Sequence, residues 1–105
     1  MNKLVRDLIP EIIKKSGKEP NVYIAEDKEY WLLLKQKLSE EVQEFLESES
    51  IEEMADILEV MDAICSYKNL SKTELEAVKR KKFDERGGFC QKRVLCQYVA
   101  LEAKS

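Results

Sequence analysis

Histidine is missing altogether from this 105-residue chain. That removes the Ser-His and Cys-His nucleophile pairs and makes a zinc enzyme a poor fit, so acid–base chemistry falls to carboxylates, lysines or metal-bound water. Cysteine is scarce: Cys65, Cys90 and Cys96 are odd in number and lack C-x-x-C spacing, so they read as reduced packing residues. Only three glycines and two prolines interrupt the chain, and 37% of its residues are charged, which favours long helices. No apolar run approaches the roughly 20 residues that cross a bilayer, and the opening Met1-Asn-Lys-Leu-Val-Arg6 lacks the apolar core of a signal peptide. The expectation is a soluble, cytoplasmic, all-α protein with no membrane partner. A single domain over residues 1–105 is small enough that pairing with a second copy would help it.

What is present is acid, and it is unevenly placed. Residues 26–62 carry 13 acidic and 3 basic side chains, whereas residues 1–25 carry 5 basic and 3 acidic, and residues 67–105 carry 10 basic and 5 acidic. The total is only −3, but an acidic middle between basic ends suits a metal site with phosphate-binding arms. The overall acidic balance argues against a nucleic-acid polymer as partner. The run Lys79-Arg80-Lys81-Lys82 reads equally well as a solvated helix face.

Periodicity divides the chain. A short helix starts near Pro10, Ser16 to Pro20 forms a turn, and Asn21 to Ala25 is β-rich and expected to be extended. Asp27 suits the N-cap of a long helix ending near Ser48, and Ser50 caps a second helix from Ile51 to about Lys68. Ser71-Lys-Thr-Glu74 opens a third, which stops at Gly87-Gly88. The stretch from Phe89 to Leu101 fits either a strand pairing with residues 21–25 or a short helix.

The long helices carry Glu40-Glu41-Val-Gln-Glu44 and, after eight intervening residues, Glu53-Met-Ala-Asp56. Carboxylates three or four apart share a helix face, so two such helices folded back on each other present four or five oxygens to one centre. Hard oxygen donors suit magnesium or manganese. On the first helix Glu41 falls inside the apolar arc of Trp31, Leu34, Leu38, Val42 and Phe45, where a carboxylate is costly unless a counter-charge or a metal compensates it. Glu53 has a simpler reading, since Ser50-Ile-Glu-Glu53 is also a capping box. Glu59 and Asp62 form a second Glu-x-x-Asp, leaving the register open. Tyr30 and Trp31 fit a core or an interface better than a base-stacking role.

These motifs resemble the MazG-like branch of the all-α nucleoside triphosphate pyrophosphohydrolases, a group that includes phosphoribosyl-ATP pyrophosphohydrolase. The group's Glu-Glu-x-x-Glu and Glu-x-x-Asp are matched by Glu40, Glu41, Glu44, Glu53 and Asp56. The opening Lys3-Leu-Val-Arg6-Asp7-Leu-Ile-Pro10 and the later Arg86-Gly87-Gly88-Phe89 are similar to its small single-domain members. The resemblance implies a homodimer whose central antiparallel helices form a four-helix bundle. It also implies magnesium-dependent hydrolysis of a nucleoside triphosphate to a monophosphate and pyrophosphate. Glu41, Glu44, Glu53 and Asp56 would hold the metal, and Glu40 would ligate a second ion or accept the water's proton. Lys3, Arg6, Lys82 and Arg86 would bind phosphate, and Asp7 would orient Arg6 or contact the ribose. Two other readings are a helical interaction or regulatory module that keeps the fold without activity, and a structural protein stapled by an ion.

Overall fold

A computed structural model describes residues 2–102, and the helices α1 (Ile9–Lys15), α2 (Asp27–Ser48), α3 (Ile51–Tyr67) and α4 (Lys72–Arg86) account for all regular structure among them. The expected all-α class is what the chain adopts. It divides into two compact units, Met1–Ser71 and Lys72–Ser105.

In the first unit, α1 begins as Pro10 dictates, because a ring with no N–H is tolerated only in the first helical turn. It ends at Ser16, whose hydroxyl donates to the Ile13 carbonyl at 2.6 Å, and Gly17 supplies the positive φ of the turn. The N-cap of α2 is Glu26 rather than Asp27: Glu26 is the extended residue, and Asp27 is already helical. Neither side chain caps the backbone there; Asp27 and Glu29 instead place negative charge in the first turn, where the helix dipole favours it. Glu49 takes a left-handed conformation and donates its N–H to the Phe45 carbonyl at 2.7 Å, so Glu49 and Ser50 alone join α2 to α3. Ser50 caps α3 as expected, its hydroxyl accepting from the Glu53 N–H.

The two long helices run antiparallel, for Tyr67 at the end of α3 reaches the start of α2. Its hydroxyl donates to the Asp27 carbonyl at 3.3 Å and its ring stacks on Trp31, centroids 5.3 Å apart, with Tyr30 edge-on at 5.6 Å. Lys68 and Lys35 lie over Trp31 at 4.4 and 5.2 Å. Trp31 and Tyr30 therefore fasten the open end of the hairpin, in keeping with a packing role.

The core is slender. Leu34 is 1% exposed, and Val60 and Cys65 are the other buried apolar residues among those described. Ile51, Met54, Leu58 and Met61, spaced three and four apart, leave an apolar stripe of α3 exposed, and Val42 and Leu46 do the same on α2.

Residues 21–25 lie outside any helix and form no strand, and Val22, Tyr23 and Ile24 are exposed, so the strand considered for the tail has no partner there. In the second unit, the chain after Gly88 forms neither strand nor helix through residue 102, only a turn at Phe89–Lys92. β-propensity expresses itself only against a partner strand, and neither segment has one. Helix α4 stops where expected, with Gly87 at φ 80° donating its N–H to the Phe83 carbonyl. Its basic run is solvated and locally paired, Arg80 with Asp84 and Lys81 with Glu85.

Candidate metal centre

The two-residue turn between α2 and α3 folds Glu-Glu-x-x-Glu onto Glu-x-x-Asp. One carboxylate oxygen from each of Glu40, Glu41 and Glu44 lies within 4.8 Å of the others, and the same holds for Glu41, Glu53 and Asp56. Glu41 belongs to both sets and is the buried charged residue among those described, 5% exposed. The position singled out on the apolar arc is thus the hinge of the cluster. The Glu53 and Asp56 register meets α2, and Glu59 turns to another partner.

The electrostatics of this cluster are those of carboxylates short of positive charge. Lys37 approaches Glu41 Oε1 at 3.2 Å, but Glu41 Oε2 and Glu53 Oε2 are buried without a hydrogen-bond partner. Partial burial, then the adjoining carboxyls of Glu41 and Glu44, push Glu53 up to about 7. The charge of Glu41, together with desolvation, raises Glu44 as well. A capping box does not explain Glu53, because the Ser50 N–H goes to the Ser48 hydroxyl rather than to the Glu53 side chain. Buried polar atoms are normally satisfied, and a bare carboxylate oxygen in a group of carboxylates calls for a proton or a cation. The donor set fits a hard divalent ion: all oxygen, converging from two rigid helices, with orphaned oxygens at the convergence.

Basic groups already border the cluster. Arg6 Nη2 donates to Asp56 Oδ1 at 2.7 Å, while Arg6 Nη1 lies 3.7 Å from Glu59 Oε1. The hydrogen bond to Asp56 is the main reason that the guanidinium pKa is raised. Lys37 also contacts Glu40 at 3.5 Å, and Lys3 reaches Glu40 at 4.0 Å. Burial lowers the Lys37 pKa, but the hydrogen bond to Glu41 and the charges of Glu40 and Glu41 outweigh it and raise the value. Arg6, Asp7, Lys37, Glu41, Asp56 and Glu59 line a cleft of about 550 Å³ together with mostly apolar residues, Leu4, Ile9, Leu34 and Val60 among them.

The residues expected from sequence therefore fall into three groups. Glu40, Glu41, Glu44, Glu53 and Asp56 come together. Lys3, Arg6 and Asp7 stand at the cluster or in the cleft, although the acidic partners of Arg6 are Asp56 and Glu59. Lys82 and Arg86 lie exposed on α4 in the second unit. Lys37 was not anticipated, and Glu59 was read only as half of an alternative Glu-x-x-Asp. Lys37 carried a signal, since it precedes Glu40 and Glu41 by three and four residues. The partnership of Glu59 with Arg6 had none, because it joins residues more than 50 positions apart.

No protein-family model and no solved structure matches this chain. A stretch of 44 residues, 42% of the chain, is 52% identical to an uncharacterized protein of Mycolicibacterium smegmatis (strain ATCC 700084 / mc(2)155). The match covers 45% of that protein.

Proposed function

We propose that this chain is a divalent-metal-dependent nucleoside triphosphate pyrophosphohydrolase of the MazG-like kind, acting on ribo- or deoxynucleotides in the upkeep of the nucleotide pool. The observation that carries the reading is Glu41, a buried carboxylate shared by two acidic triads with one oxygen left unpartnered. Lys37 meets one oxygen of that buried charge, and a bound cation would answer the other.

Glu41, Glu44, Glu53 and Asp56 would hold magnesium or manganese, which when bound neutralises phosphate oxygens and makes a water more acidic. Glu40, beside Lys37 and Lys3, would accept the proton of the attacking water or serve a second ion. The water oxygen forms a bond to phosphorus, the bridging oxygen between the α and β phosphates leaves with pyrophosphate, and the proton passes to the Glu40 carboxylate. Arg6 exchanges Asp56 for phosphate oxygens, a trade that suits the two parallel donors of a guanidinium. Asp7, which lines the cleft, would contact the ribose.

The exposed stripe of Ile51, Met54, Leu58 and Met61 with Val42 and Leu46 supports pairing with a second copy into a four-helix bundle. One observation favours a non-catalytic helical module instead: Arg6, Lys37 and Lys3 already offset part of the cluster's charge. Product analysis separates the two. Incubating nucleoside triphosphates with the protein and magnesium should yield monophosphate and pyrophosphate, and EDTA should abolish both. Diphosphate with orthophosphate would contradict the chemistry, and no product from a broad panel would favour the module.

A further inference from the structure

Lys37 is a lysine in an unusual position. It sits on α2 one turn before Glu41, its side chain is only 18% exposed, and its ammonium lies 3.2 Å from Glu41 Oε1 and 3.5 Å from Glu40 Oε1 while lining the cleft. A solvated i,i+4 pair would explain the spacing but not the burial. Holding Glu41 in place for an ion is a second explanation, and its sign is wrong. An ion on Glu41 would share one carboxylate with a fixed positive charge, and at that range in a partly buried site the repulsion opposes binding. A lysine that weakens the centre it adjoins has a reason to be there if the ligand arriving with the metal is strongly negative.

We propose that Lys37 is a polyphosphate-binding residue, its ammonium contacting the phosphate chain of a nucleotide that enters the cleft on the Arg6 side. The inference rests on the hydrolase reading above and adds to it a residue and a direction of entry. In the ligand-free protein Glu40 and Glu41 neutralise the ammonium. When a divalent ion draws on Glu41, Lys37 is left with surplus positive charge facing the cleft, where Arg6 is released from Asp56 at the same time. Two cations so freed in the lining of one cleft match a ligand of several negative charges, and the apolar residues of the same lining suit its uncharged part.

The test is Lys37→Met, which keeps the length of the stem and removes the charge. Two quantities are measured: binding of Mn²⁺ alone by electron paramagnetic resonance, and binding of a non-hydrolysable nucleoside triphosphate analogue in Mg²⁺ by calorimetry. Circular dichroism establishes that the variant is folded. The expected result is Mn²⁺ binding equal to or tighter than that of the wild type, with the analogue weakened by about tenfold or more. Lys37→Arg should recover most of that loss. Weaker Mn²⁺ binding in Lys37→Met would assign the residue to holding Glu41, and unchanged analogue binding would leave it no part in the ligand; either overturns the proposal alone. A wild-type protein that binds neither Mn²⁺ nor the analogue would overturn the hydrolase reading along with it.

Discussion

Replacing Glu41 by glutamine removes one negative charge and almost no volume from the hinge of the carboxylate cluster. In the metal-free protein two effects oppose each other. The amide gives up a charge-assisted contact with Lys37, worth about 1.5–3 kcal/mol for a group this well buried. It also relieves the repulsion that, alongside burial, holds Glu44 and Glu53 above their usual range. The metal-free variant should melt within a few degrees of the wild type. Divalent ion separates them. A ligand at a hundred times its dissociation constant stabilises the folded state by about 2.7 kcal/mol. For a unit of this size that raises the melting temperature by about 10–20 °C. Thermal unfolding followed by circular dichroism, in EDTA and in a Mn²⁺ series, should show that rise in the wild type and its loss in Glu41→Gln. A variant that keeps the full rise would refute the assignment of Glu41 to the centre.

Other outcomes follow from the same geometry. Glu53 titrates near 7 in the folded protein against about 4.5 unfolded, so over that interval the folded state holds more protons. The metal-free protein should therefore lose stability as pH rises from about 4.5 to about 7 and level off above, which denaturant unfolding in EDTA at pH 5.5 and 8 would check. Divalent affinity should rise over the same interval, since ion and proton compete for these oxygens. Leu34→Ala, at the most buried side chain, should cost about 2–5 kcal/mol by urea denaturation; a cost below 1 kcal/mol would mean that the slender core is organised elsewhere.

The parts of this account that could be read from the sequence are those set by short-range periodicity. Ser50 announces the start of α3, and the eight residues between the acidic motifs leave room for only a tight turn once each helix has its length. Glu41 stands out because a carboxylate on an apolar arc conflicts with the hydrophobic pattern around it, and such conflicts mark sites. The pairing of Arg6 with Asp56 depends on the first residues folding back along the hairpin, and nothing in local spacing encodes that. The strand considered for the tail fails for a related reason: Val22, Tyr23 and Ile24 have β-propensity, but only a neighbouring strand turns propensity into structure. The N-cap of α2 moved by one residue because Glu26 takes the extended conformation and Asp27 contributes charge to the first turn instead of a side-chain cap.

The claim on which the rest depends is that α2 and α3 together hold a divalent ion. Anomalous diffraction from crystals soaked in Mn²⁺ addresses it directly. The account predicts a peak between the helices in contact with Glu41, with Glu53 and Asp56 as further ligands and Arg6 drawn away from Asp56. Diffraction from soaked crystals with no peak at that position, and the Arg6–Asp56 pair intact, would contradict it.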